Sequence, residues 1–385
     1  KWFATEKNSD IIRLAYGETE FKMPNHLLPQ VMNSFINDAQ YLSPTQGLPE
    51  LRQKLSEVLV KQTEIEYSKD EIAITVATSE ALFCAVQTVI NPRDEVILFD
   101  PFYTAQEPLV RLAGGRPIYV PTYEKDLWNP KIEEVEDRIS RKTKAIILSS
   151  PNNPTGAVYS KKTLNELAEL ALRHDLYVIS DEVMKDILYD GEKHFSISSF
   201  NGMKERTFVC GSFSRIHGMT GLRVGYVSTA KTLMDELMKV HLFCVVGVST
   251  VSQRSALAIL EGQQEHIPKY LSELDYRRKM AVSKINKIYG FSSHMPKGAY
   301  WLLPNVKKLL REKNKEIRAY LSRFGKVPIS GSEQMQDYLL YAAKVAVGGN
   351  YFGYAGEGYI RIAYSNSREE LSDALDRIGE AISNL

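Results

Sequence analysis

The sequence predicts an α/β chain, with a large domain built on a mostly parallel central sheet and a smaller α+β domain. Three observations carry this. Short β-branched runs alternate with longer amphipathic stretches over the first two-thirds of the chain. Polar clusters follow directly behind several of those runs. The last third changes texture, with a long charged helical pattern and isolated apolar strands. The boundaries expected from this are 46–285 for the large domain, with 1–45 and 286–385 forming the small one.

The strand candidates, in order, are Asp94–Phe99, Arg116–Val120, Lys144–Leu148, Tyr177–Ser180, Arg206–Cys210 and Arg223–Val227. Each is rich in β-branched residues and bounded by turn formers. Helical patterns separate them, notably Ser79–Ile90 and Leu164–His174. Such alternation implies parallel strands covered on both faces. Leu48–Glu57 reads as a helix behind the Pro/Gly-rich LSPTQGLPE. Glu265–Tyr289 reads as a long charged helix. After it come AYWLLPNV, a helix around Lys315–Phe324, the strand YIRIAYS and a final helix from Ser367.

Composition narrows the partners. The chain has 385 residues, 44% hydrophobic and 25% charged, with a net charge of +1. That is ordinary globular stock with no field for nucleic acid or an anionic membrane, so a small-molecule partner is expected. The cysteines Cys84, Cys210 and Cys244 are far apart and form no CxxC. Core packing and reduced cytoplasmic thiols are expected of all three, and no metal site. No apolar run approaches the roughly 18 residues of a membrane span. The start KWFATEKNSD lacks the apolar segment of a signal peptide.

In open parallel sheets, ligands bind at the carboxyl ends of the strands. Here SSPNNPTG (149–156) follows KAIIL, Asp181 and Glu182 follow YVIS, and GSFSR (211–215) follows RTFVC. Each residue also has a plain structural explanation. Asp181 and Ser79 suit helix N-caps, Asn152 and Asn153 suit turns, and Tyr103 suits a core. Arg223 in GLRVGYV and Arg361 in YIRIAY are lone cations in apolar strands. They fit either structural salt bridges or buried charges awaiting an anion.

NNPTG, SDE, SFSxxxGMTGLRVGY and YIRI occur in that order, and from LAYGETEF to GYIRIAYSNSREEL the chain resembles the class I/II aminotransferases. These are fold-type-I enzymes of pyridoxal 5′-phosphate, usually homodimers acting on amino acids. The resemblance implies that Asp181 holds the pyridine nitrogen, Asn153 the ring hydroxyl, and Tyr103 the ring face. Ala77, Thr78, Ser79, Ser212 and Arg223 would hold the phosphate at a helix N-terminus. Arg361 would grip the substrate carboxylate and the backbone of Gly17 would close over it. Tyr16, Glu18, Thr19 and Tyr300 are candidates to line the side-chain space.

The chain departs from the family at Arg215, where the lysine that forms the internal aldimine and moves the substrate proton belongs. An arginine stays protonated and does not replace that amine. The preferred expectation is a transaminase inactivated by Lys→Arg, trapping cofactor or an external aldimine; a natural chain that lost its lysine is the other origin. Further departures are Ala77 for a usual Gly, Met184 for a tyrosine, Leu42 for a tyrosine beside Tyr41, and Thr19 for a proline. Met184 keeps open a PLP-dependent elimination or cyclisation enzyme, similar to capreomycidine synthase and acting on a hydroxylated arginine-type amino acid. A non-catalytic binding protein on this scaffold is the third possibility.

Overall fold

The computed structural model describes residues 10–349 and 351–385. Residues 1–9, most of the segment on which the leader expectation rests, lie outside them. The strands in chain order are β1 (Ile12–Arg13), β2 (Ile72–Thr75), β3 (Glu95–Asp100), β4 (Arg116–Pro121), β5 (Thr143–Ser149) and β6 (Tyr177–Asp181). They continue with β7 (Thr207–Ser212), β8 (Gly225–Ser228), β9 (Trp301–Leu302), β10 (Val345–Ala346) and β11 (Ile362–Ala363).

Seven strands form the main sheet in the order β2-β8-β7-β6-β5-β3-β4. Only β8 runs antiparallel to its neighbours. The fold is the α/β class that the sequence predicts. Alternation within β3 shows why the strands read as unbroken apolar runs. Val96 and Leu98 pack with Ala81, Leu82 and Val86 of the helix Ala77–Val89 on one face. Ile97 and Phe99 pack with Leu164 and Leu167 of the helix Lys161–Arg173 on the other. Both side-chain sets are buried, so the period of two leaves no polar trace.

Helix ends follow local chemistry. Ser160 caps Lys161–Arg173 by accepting from Thr163 N at 3.0 Å, and Ser367 caps Arg368–Ser383 by accepting from Glu370 N at 3.2 Å. The long charged helix spans His266–Ile285, and the next spans Lys307–Ser322, earlier than its charge pattern suggests. β9 and β11 pair antiparallel, β1 pairs with β10, and Leu14, Tyr300, Trp301, Ile360 and Leu371 share one apolar cluster. Helix Leu28–Asn37 instead packs on helix Thr250–Glu261.

Three expectations need correction. Arg223 is not in a strand: β8 begins two residues later, and Arg223 sits exposed in a left-handed turn with φ 53°. Ser79 is not an N-cap, because the helix already begins at Ala77 behind Val76. Cys84 and Cys210 are buried, but Cys244 is exposed near the end of helix Lys231–Val245.

Candidate active site

The central strands β5, β6 and β7 end together, and their carboxyl ends deliver the polar clusters to one cleft. Asp181 is the last residue of β6, in register with Ser149 on β5 and Cys210 on β7. It is 3% exposed. Burial pushes its carboxyl up to about 6, against the pull of the Val183 amide, 3.2 Å from Oδ1, and the charge of Arg215. Such a carboxyl, short of partners, is suited to meet a protonated ring nitrogen.

Opposite it lies the start of helix Ala77–Val89. Val76, the N-cap residue, has no side-chain acceptor, so the amides of Ala77, Thr78 and Ser79 face the cleft with the positive end of the helix dipole. Ala77 has φ 58°, a left-handed conformation that costs an L-residue about 1–2 kcal/mol and that glycine adopts freely. Thr78 Oγ1 donates to Gly211 O at 3.1 Å, tying the helix start to β7. Gly225 is needed beside it: a Cβ there would lie 2.8 Å from Thr78 N and 2.7 Å from the Ala77 carbonyl carbon. Ser212 accepts from Ser214 N at 3.0 Å, and the Ser214 hydroxyl is buried without a partner. Arg223 donates to Thr220 O at 3.1 Å and lines the same cleft.

Arg361 comes from just before β11. Its Nη1 donates to Asn153 Oδ1 at 2.8 Å and its Nη2 to Ala15 O at 2.6 Å. The guanidinium lies between Trp301, 3.9 Å from the ring centroid, and Phe352, at 4.8 Å. Burial lowers its pKa to about 10, and its Nε is buried without a partner. Asn152, by contrast, closes the turn through Thr155 N and Thr155 Oγ1, at 3.2 and 2.8 Å.

Gly17 answers a packing demand. A Cβ there would meet Trp301 at 2.4 Å. Its carbonyl accepts from Tyr300 Oη at 2.7 Å and also from Arg215 Nη1. Arg215 thus spans from the loop after β7 to the N-terminal segment. Its Nε is buried without a partner, and its charge acts on both Asp181 and Tyr300.

One cleft brings together Ala77, Thr78, Ser79, Tyr103, Asn153, Asp181, Ser212, Arg215 and Arg223, with Met184 and Ser214. Arg361 lies on the wall of an adjoining cleft of about 900 Å³. Gly17 touches the first cleft through Arg215. Sequence reasoning missed Trp301, Phe352 and Ser214. AYW and YFG are aromatic pairs that a core also explains, so only the position of Arg361 distinguishes them. Together the cleft offers a helix N-terminus at one end, a buried carboxyl at the other, and a buried guanidinium beside them.

The family model for aminotransferase class I and II matches residues 9–378. The chain belongs to the class I and II aminotransferase family. It is 34% identical over 377 residues to an aspartate aminotransferase of Pyrococcus abyssi, covering 97% of this chain and 92% of that one. It is 32% identical over 375 residues to aromatic-amino-acid aminotransferase 2 of Thermococcus litoralis, covering 97% and 92%. The solved aromatic aminotransferase of Pyrococcus horikoshii superposes with a TM-score of 0.88 at 33% identity, covering 98% of this chain and 97% of that chain. Aminotransferases of this family are enzymes of pyridoxal 5′-phosphate, and the fold is their fold type I.

Proposed function

We propose that this chain holds pyridoxal 5′-phosphate without a covalent link and receives an L-amino acid. Transamination is the reaction its scaffold serves, and Arg215 is the residue that stops it. The observation that carries this is the place of Arg215. It lies in the cleft beside Asp181, and no lysine lines that cleft among the described residues.

The donor set fits the cofactor. The amides of Ala77, Thr78 and Ser79, the hydroxyls of Ser212 and Ser214, and Arg223 suit the phosphate, at a helix start that glycine at 225 lets pack closely on β8. Asp181 suits the ring nitrogen. Arg361 occupies Asn153 Oδ1, so the amide NH₂ is the group left for the ring hydroxyl. Tyr103 offers a flat face in the same cleft. When bound, the cofactor supplies an electron-withdrawing ring that acidifies the α-hydrogen of an amino acid. Asp181 keeps the proton at the ring nitrogen. Arg361 orients the substrate carboxylate, with its free Nε as an additional donor. Arg215 stays charged and pinned to Gly17, so it takes no proton from the α-carbon.

The side-chain space is the cleft beside Arg361. Its walls carry Tyr16, Phe102, Tyr119, Tyr351 and Tyr354, with Glu107 and Glu357. Such walls favour an aromatic side chain over an acidic one. Met184 in the first cleft is the one departure that speaks for elimination or cyclisation, while the relatives above carry aminotransferase names, which favours transamination. A homodimer belongs to the same proposal. Leu42 is 81% and Phe243 89% exposed, and their segments are joined where Ser43 Oγ donates to Val248 O at 2.8 Å. Among the described residues no helix is long and apolar enough to cross a membrane.

Calorimetric titration of the cofactor-loaded chain tests the substrate assignment. L-Phenylalanine is expected to bind at least tenfold more tightly than L-aspartate. Equal or reversed preference contradicts it.

A further inference from the structure

Two covering helices meet on a polar cluster outside the candidate active site. Glu80 and Cys84 lie one turn apart on helix Ala77–Val89, and His241 and Cys244 lie one turn apart on helix Lys231–Val245. The helices pack together. A carboxylate oxygen of Glu80, the Cys84 sulfur and a ring nitrogen of His241 all lie within 4.8 Å of one another. Cys84 and His241 are fully buried, and the thiol of Cys244 neighbours that of Cys84 from the solvent edge.

A buried hydrogen bond explains part of this. Glu80 Oε1 and His241 Nδ1 are 2.8 Å apart. It does not explain two thiols at the same point, one of them fully buried. The orientation of His241 is more telling. Its Nε2 lies 2.8 Å from Thr45 O, so that nitrogen donates. This is the outer hydrogen bond that metal-bound imidazoles make, and it leaves Nδ1 as the ligand atom. Glu80 is also held from behind, because its Oε2 accepts from Val76 N.

We propose that Glu80, Cys84 and His241, with Cys244 as the donor at the solvent edge, bind one divalent cation of the zinc class per chain. Mixed nitrogen, sulfur and oxygen donors select zinc over magnesium or calcium, which take oxygen ligands. Three donors are clustered, and a fourth from Cys244 would close the site in the manner of structural sites. It ties the helix that starts at Ala77 to helix Lys231–Val245. Sequence spacing hides the cluster, since Glu80 and His241 are 161 residues apart.

The test is a zinc titration of the reduced, cofactor-loaded chain against a chromophoric chelator. One equivalent per chain is expected at micromolar zinc or below. Cys84→Ser and His241→Gln are each expected to weaken it by at least about tenfold. Cys210→Ser, a buried thiol outside the cluster, is expected to bind as the parent does. Zinc is also expected to raise the unfolding temperature of the parent and of Cys210→Ser, but not of Cys84→Ser. Binding that survives Cys84→Ser, or that is absent from the parent, overturns the proposal.

Discussion

The guanidinium of Arg361 donates to Asn153 Oδ1 at 2.8 Å, which joins the segment before β11 to the loop after β5. The same guanidinium reaches Ala15 O and lies between Trp301 and Phe352. In the proposed function, carboxylate binding and placement of the Asn153 amide therefore depend on one side chain. Loss of one half of a buried charge pair costs on the order of 2–5 kcal/mol. Arg361→Ala is expected to weaken amino-acid binding to the cofactor-loaded chain by well over tenfold, read by calorimetry, with cofactor affinity changed far less. Loss of the cofactor as well would make Arg361 a structural residue.

Asp181 gives a pH signature. Its folded-state pKa of about 6 stands above the ordinary carboxyl value of 3.8, so the folded chain binds this proton more tightly than the unfolded one. Its contribution to stability is present below about pH 4 and lost as pH rises through about 6, a difference of roughly 3 kcal/mol. Cofactor-free Asp181→Asn is therefore expected to be more stable than the parent at about pH 8, with the advantage shrinking toward about pH 4, in urea unfolding. It is also expected to bind the cofactor more weakly. A stability difference independent of pH would remove the buried, poorly partnered carboxyl from the account.

Ala77 carries strain that glycine would not. Ala77→Gly is expected to raise stability by about 1 kcal/mol, measured by urea unfolding, because φ 58° is unstrained for glycine. A destabilised variant would mean that the methyl group packs well enough to offset the strain.

Much of the site was legible because strand ends announce themselves. Asp181, Ser212 and the NNPTG turn each follow an apolar run, and the parallel sheet carries those ends to one edge. Arg223 was misplaced because an apolar neighbourhood suggests a strand, whereas backbone handedness leaves no mark in GLRVGYV. Ser79 was taken for a cap because serine suits that place, yet the helix starts at a left-handed alanine. Trp301 and Phe352 were invisible as site residues, since only tertiary packing sets them on either side of Arg361.

Arg215 sits at the centre of the account, hydrogen-bonded to Gly17 and close in charge to Asp181. Arg215→Lys is expected to restore a covalent cofactor link absorbing in the visible, together with turnover, while amino-acid affinity changes little. A lysine variant with neither would favour a binding protein on this scaffold.

The most direct measurement is borohydride reduction of the chain loaded with pyridoxal 5′-phosphate, followed by intact and peptide mass spectrometry. The expected result is stoichiometric cofactor before denaturation and no pyridoxyl group on any residue of the cleft. A pyridoxyl adduct on a lysine reaching that cleft, or transaminase turnover by the unaltered chain, would contradict the assignment of Arg215 to the lysine position.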